Sequence, residues 1–203
     1  MNSHVSIGNM NISMKNFAQV IPGYTFREAI TPSNNGNIYV LQAKNVVNNY
    51  NIADAQQLTK ISLPTSRSAS FVKHNDVILL SRGSGAGTFR ACIYKGNNSD
   101  TLASSSVHII RINQNYVLPE YLVLYLTSKQ GQQELDQIAS GTHFQIISRF
   151  HLAELQIPIP PIDKQQKLVD LYLNMKKQEA IATRKHQIYD NLLDATITQF
   201  QSV

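Results

Sequence analysis

Ser81-Arg82-Gly83-Ser84-Gly85-Ala86-Gly87-Thr88-Phe89-Arg90 combines three glycines with two flanking arginines, a composition suited to meeting phosphate. A glycine-rich loop cradles a nucleotide when it closes on Gly-Lys-Ser/Thr and runs into a helix whose N-terminus takes the phosphates. Here Gly87 is followed by Thr88 and Phe89, and there is no lysine. The next run, Ala91-Cys92-Ile93-Tyr94, has strand composition. The dinucleotide fingerprint fails for the same reason. The stretch therefore reads as a long hairpin whose glycines supply positive φ. Arg82 and Arg90 flank a loop with little side-chain bulk, which is compatible with contact to a nucleic acid.

Catalytic constellations are not found. The histidines at 4, 74, 108, 143, 151 and 186 have no metal-ligand spacing, and the single cysteine, Cys92, rules out a paired-cysteine zinc site. His108 lies in an alternating apolar run and is expected to be structural. No Gly-x-Ser-x-Gly elbow is present. Asp76 precedes a strand but has no Glu-x-Lys partner of the nuclease kind. An Asn/Asp-Pro-Pro-Tyr/Phe tetrapeptide, used by amino-methyltransferases, is missing. The expectation is a protein with no catalytic residue, no metal and no cofactor of its own.

The chain has 203 residues, 42% apolar and 15% charged, enough for one core and an extension. One cysteine excludes an intramolecular disulfide framework and suits a reducing cytoplasm. No apolar run reaches the roughly 18–20 residues of a membrane span, and the N-terminus lacks the pattern of a secretion signal. Residues 1–150 hold 12 Lys and Arg against 7 Asp and Glu, whereas 151–203 hold 6 of each. Within 60–111 the imbalance is 7 against 2. A basic excess concentrated in the middle of the globular part is the footprint expected of phosphate-backbone contact.

Residues 1–15 show no periodic element and are expected to be loose. Phe17–Ile21 reads as a short strand before the Pro22-Gly23 turn, and Ile38–Leu41 as a buried strand. Residues 48–70 carry little signal. A turn over 71–76 leads into the strand Val77–Leu80, and Val107–Ile112 alternates as a further strand. Leu118-Pro119-Glu120 opens a helix with Tyr121, Leu122, Tyr125 and Leu126 on its apolar face. Gly131 is expected to interrupt it before a second helix, Gln132–Ala139. The stretch 140–166 then reads as a Gly turn, a short strand, a helical patch and a second strand. It ends at a proline brake, Ile157-Pro158-Ile159-Pro160-Pro161-Ile162. Asp163 and Gln166 have capping-box spacing. Residues 163–200 contain neither Gly nor Pro, so one helix of about 57 Å is expected. Its apolar positions run Leu168, Tyr172, Met175 and then Ile181, Ile188, Leu192, two registers separated by six residues between 175 and 181. Because 175 to 181 is six residues where the repeat needs seven, the registers do not join cleanly. A strict two-stranded seam is not expected, but such a stripe needs a partner.

Several segments together resemble a known family. Ser140-Gly141, Ile147-Ser148, Leu152, then Leu155-Gln156-Ile157-Pro158-Ile159-Pro160-Pro161-Ile162 with Gln165-Gln166 and Leu168-Val169 form the most specific part. Val20–Phe26, Leu41–Val46, His74–Leu79, and Tyr121-Leu122, Tyr125-Leu126, Ser128 and Gly131 agree in order. The chain thereby resembles the specificity subunit of Type I restriction–modification enzymes over about 17–200. The resemblance implies an α+β fold: a target recognition domain (1–157) with a twisted sheet and short helices, then a proline boundary and long spacer helix (158–203). It implies a non-catalytic reader of double-stranded DNA that directs methyltransferase subunits, with a restriction subunit as a further partner, to a bipartite site. A stand-alone DNA-binding or regulatory module of the same fold is the alternative.

Full-length members carry two recognition domains and two long helices packed antiparallel, and this chain has one of each. The expectation is therefore a half subunit that forms an antiparallel homodimer through Leu168, Tyr172, Met175, Ile181, Ile188 and Leu192. Loop residues placed to reach a duplex are Tyr24, Arg27, Lys44, Asn45, Arg82, Thr88, Arg90, Thr142, His143 and Arg149. Arg reads guanine bidentately, Asn reads adenine, and Lys mainly holds phosphate.

Overall fold

Three apolar runs rich in Val, Ile and Leu, 77–80, 91–94 and 107–112, become the central strands of the protein. The computed structural model describes residues 10–46, 51–52, 58–63, 70–85, 87–97, 100–141 and 144–201. The strands described are β1 (Met10–Ser13), β2 (Ala18–Pro22), β3 (Ile38–Leu41), β4 (Asn51–Ile52), β5 (Thr59–Ile61), β6 (Val77–Leu80), β7 (Arg82–Gly83), β8 (Ala91–Tyr94), β9 (Thr101–Ala103), β10 (Val107–Ile112), β11 (Gln145–Ile146) and β12 (Gln156–Ile159). The helices are α1 (Pro119–Thr127), α2 (Lys129–Ile138), α3 (Arg149–Glu154) and α4 (Ile162–Gln201). Chain contacts divide the molecule into two compact units, Met1–Gln165 and Gln166–Val203.

In the first unit the main sheet has the order β2-β10-β6-β8-β4, antiparallel except for the β4–β8 pair. Every residue of β6 and β8 is buried, as in strands covered on both faces. A three-stranded sheet, β5-β3-β9, adjoins a second cluster of Ile38, Val40, Ile61 and Leu102. The main core gathers Leu41, Ile78, Cys92, Tyr94 and Ile109. Burial pushes the Cys92 thiol up to about 12, so it behaves as a small apolar side chain. Tyr94 Oη shares a hydrogen bond of 2.8 Å with Thr101 Oγ1 inside this core.

Four expectations change. Residues 10–15 are not loose. β1 pairs antiparallel with β12, Met10 opposite Ile159, and Met14 is fully buried with its N–H donating to the Leu155 carbonyl. The partner lies more than 140 residues away in sequence, so no local pattern marks it. Pro158 sits opposite Asn11 in this two-stranded ribbon, a place where a missing N–H is tolerated. β5 and β9 fall where strands were not expected.

The break between the first two helices falls at Ser128, not Gly131. The Ser128 hydroxyl accepts from the Gly131 N–H at 3.1 Å and starts α2 at Lys129. Gly131 lies inside that first turn because a Cβ there would run into the Tyr125 carbonyl.

The Asp163–Gln166 capping box does not form. Gln166 instead donates to Asp170 one turn on, at 2.9 Å. Its neighbour Gln165, completely buried, does the joining. Its Oε1 accepts from the Leu118 N–H at 2.9 Å, and its Nε2 donates to the carbonyls of Tyr116 (2.8 Å) and Pro160 (2.7 Å). One amide thus holds the proline border against the start of α1, and Tyr121 Oη adds a bond to the Pro158 carbonyl.

In the second unit α4 continues without a break. Leu168, Leu171, Met175, Ile181, Ile188, Tyr189, Leu192, Leu193, Ile197 and Phe200 are all exposed on it.

Replacing Gln165 by Leu strips partners from three half-buried backbone groups. It is expected to lower stability by about 2 kcal/mol, seen as a reduced urea midpoint with an unchanged slope.

Candidate nucleic-acid interface

The hairpin between β6 and β8 is built to hold its shape. Ser81 donates its N–H to the Ser106 carbonyl (3.0 Å) and its hydroxyl to the Ser105 carbonyl (2.9 Å). β7 then pairs with β11, Gly83 opposite Gln145 and Arg82 opposite Ile146. Inside the loop the Thr88 hydroxyl donates to the Gly85 carbonyl at 2.6 Å and accepts from the Ser84 N–H at 3.0 Å. A Cβ at position 83 would collide with that hydroxyl. Gly87 takes φ +73°, which favours glycine.

Helix α2 grips the returning limb. Gln132 Oε1 accepts from the Phe89 N–H at 3.0 Å, and its Nε2 donates to the Phe89 carbonyl (2.8 Å) and the Leu126 carbonyl (2.6 Å). The Asp136 carboxylate accepts from the Gly87 N–H at 3.1 Å. An amide side chain therefore completes the backbone of Phe89 as a neighbouring strand would, and sets the position of Arg90.

The hairpin and the turn before β11 enclose an open cleft of about 870 Å³. Arg82, Gly83, Ser84, Gly87, Thr88 and Arg90 come from the hairpin, Phe144 and Ile146 from the turn, with Leu80 and Ala43 completing the wall. Arg82 is exposed and Arg90 half-buried, and neither guanidinium has an ion-pair or hydrogen-bond partner among the described residues. Two other basic residues of the middle segment are held by carboxylates. Arg111 grips the Asp76 carboxylate at 2.7 and 2.9 Å and the Phe71 carbonyl at 2.9 Å, and Lys95 meets Glu120 and Asn75 at 2.7 Å each. Asp76 is only 3% exposed at its side chain, so that pair is a structural clamp.

The residues singled out from sequence fall in several places. Arg82, Thr88 and Arg90 share the cleft, though the Thr88 hydroxyl is spent on the loop itself. Lys44 and Asn45 follow the cleft residue Ala43 in a short 3₁₀ turn, where Lys44 donates to Thr59 Oγ1 and Asn45 Oδ1 accepts from the Gln42 N–H. Tyr24 and Arg27 line a separate depression of about 290 Å³ beside Phe26 and Leu63, Tyr24 meeting Phe26 edge-on at 4.9 Å. Arg149 lines a third, of about 500 Å³, with Lys15, Gln19 and Phe150. Thr142 and His143 lie outside the described residues. Sequence reading passed over Phe144, Gln132 and Asp136. An exposed aromatic in a turn beside a strand was the one available signal, whereas the two α2 side chains carry none.

His108, in the middle of β10, reaches the same region. Its ring is buried, and Nε2 lies 2.8 Å from the Ile147 carbonyl, which can only accept, so Nε2 carries the proton. Nδ1 has no partner among the described residues. Burial lowers its pKa below the usual 6.5, opposed by the bond to Ile147 and reinforced by the charge of Arg149. His108 is thus a structural tie, as expected from the strand pattern. Ile147 also donates to the Ser81 carbonyl at 3.0 Å, so the tie fixes the base of the cleft.

The fold is shared by restriction–modification S subunits of known structure. The HsdS subunit from Thermoanaerobacter tengcongensis superposes with a TM-score of 0.61 at 17% identity, over 92% of this chain and 42% of that one. The S subunit of a Type I system from M. genitalium gives 0.52 at 17% identity, over 90% and 43%. Among curated relatives, the Type I restriction enzyme HindI specificity subunit of Haemophilus influenzae is 27% identical over 128 residues, 61% of this chain and 27% of that protein. Residues 7–189 match the family described as Type I restriction modification DNA specificity domain, and the chain belongs to that family. It spans about a quarter to two-fifths of the length of these relatives.

The unfolded chain binds a proton at His108 near pH 6.5 while the folded ring resists it, so the unfolded state holds more protons as pH falls. The stabilising contribution is complete above about pH 6.5 and is lost as pH drops toward the lower, folded value. The urea midpoint is expected to fall between pH 7.5 and 5.5, and His108→Gln to flatten that dependence.

Proposed function

We propose that this chain reads DNA sequence as a specificity subunit of a Type I restriction–modification system, its recognition domain over 1–157 and its spacer helix over 158–203. The observation that carries the reading is the pair of arginines, Arg82 and Arg90, left without internal counter-charge on a hairpin clamped by both β11 and α2. A cation kept free at a fixed position suits a ligand that is itself polyanionic, and arginine serves both phosphate and the guanine edge. Lys44, Asn45, Tyr24, Arg27, Thr142, His143 and Arg149 are further contacts on the same reading.

The chemistry of modification belongs to partners, methyltransferase subunits and a restriction subunit, and the chain itself has no catalytic role. No helix among the described residues is long and apolar enough to cross a membrane. A lone buried cysteine suits the cytoplasm.

The helix supplies the second half of the proposal. Leu168, Met175, Ala182 and Tyr189 recur every seven residues; of the intervening positions Leu171 and Leu192 are apolar, and Gln178 and Lys185 are polar. α4 is continuous, so the six-residue step from Met175 to Ile181 stands, and Ile181 and Ile188 lie one position before Ala182 and Tyr189, on the flank of this repeat. A sustained seven-residue repeat is the pattern of a coiled coil. An antiparallel pairing of two copies would set two recognition domains in two-fold relation, suited to a bipartite symmetric site.

Binding of mixed-sequence 30-base-pair duplex DNA at low salt is expected, with affinity falling linearly on a log–log salt plot. Arg82→Ala and Arg90→Ala should each weaken binding roughly tenfold and reduce the salt slope by about 1. Affinity insensitive to salt and to both substitutions would remove the reading. Light scattering should give twice the chain mass, reduced to the single-chain mass by Leu192→Asp. A unmodified chain that stays monomeric at high concentration would sink the dimer.

A further inference from the structure

We propose that Phe144 is an aromatic wedge that stacks on a base of the bound duplex while Arg82 and Arg90 hold its phosphates. The inference deepens the DNA-reading function and rests on it.

Phe144 is 70% exposed and Ile146 43%, and the two line one cleft, an apolar patch of the kind that marks an interaction site rather than a lone surface side chain. The backbone around Phe144 is anchored. Ser140 and Ile146 exchange N–H to carbonyl bonds of 3.0 and 2.8 Å, Ile146 pairs with Arg82, and Ile147 donates to Ser81. Gly141 takes φ +111°, and a Cβ there would strike the Phe144 carbonyl, so the turn closes tightly just ahead of the ring. Ser140 and Ile146, on either side of the ring, are therefore held to each other by backbone bonds.

The company it keeps identifies the ligand. Phe144 and Ile146, both exposed, line the same cleft as the two arginines whose guanidinium groups have no partner among the described residues. An apolar surface bordered by free positive charge is complementary to a polymer with flat apolar faces on an anionic backbone. Side chains of this kind enter a duplex by inserting at a base step or stacking on a base face. A protein partner that covered an apolar patch would leave Arg82 and Arg90 needing acidic side chains of its own, whereas nucleic acid supplies both features at once.

The test uses the full chain and a duplex pool that it has enriched from random sequence. Phe144→Ala is expected to bind the enriched duplex about tenfold more weakly, the loss of one stacking contact. Its salt slope should equal that of the unmodified chain, since no charge is removed; the arginine substitutions should reduce the slope. Phe144→Trp should restore affinity, because stacking needs a π-face and not phenylalanine in particular. Unchanged affinity in Phe144→Ala, which would leave the patch to a protein partner, overturns the wedge. So does a loss that Phe144→Trp fails to restore. If the unmodified chain enriches no sequence and retains no duplex at low salt, the DNA-reading function itself falls, a result separate from either.

Discussion

A central strand that buries two ionisable side chains must give each a fixed partner, and in this protein that requirement falls on Val107–Ile112. His108 and Arg111 point from β10 toward opposite obligations. The imidazole stays neutral and donates to the Ile147 carbonyl, while the guanidinium closes on Asp76 and Phe71. Leaving either unsatisfied would cost about 1–3 kcal/mol, and more for the charged guanidinium. Satisfying them pins the turn that leads into β6 and the segment that follows β11. The second of these segments bonds to Ser81, where the hairpin of Arg82 and Arg90 begins, so a demand of the core becomes the geometry of the surface.

The basic excess of the middle segment divides accordingly. Arg111 and Lys95 hold the fold together, each with a carboxylate at 2.7 Å. Arg82 and Arg90 have no such partner among the described residues, and backbone bonds from Gln132, Asp136 and β11 fix their loop instead. Charge counted along a sequence does not distinguish these groups. What separates them is whether an acidic residue lies within reach in space, and Asp76 lies 35 residues from Arg111.

Much of the fold was legible for local reasons. The strands over 38–41, 77–80, 91–94 and 107–112 carry their composition openly, and the proline brake marks the start of the long helix within a residue. The elements that escaped depend on partners far along the chain. β1 is a strand because β12 accepts it, and Ser128 is a cap because of the way α1 and α2 meet. The candidate site divides in the same way. Arg82 and Arg90 announce themselves by flanking a glycine-rich loop, whereas Gln132 is one of several glutamines on a polar helix until its bonds to Phe89 are seen. Tyr24, Arg27 and Arg149, reasonable from their positions in loops, line depressions other than the arginine cleft.

The pairing of β1 with β12 has a consequence for the order in which the protein is made. Met10 emerges from the ribosome long before Ile159, its partner, exists. Met14 and its 3₁₀ turn must therefore wait, exposed, through the synthesis of almost the whole globule. Closing so long a loop costs entropy that only the final contacts return. The last strand of the recognition domain is thus the latch on its first, and it is translated immediately before the helix. A nascent chain therefore closes its globular part only as the helix begins to appear.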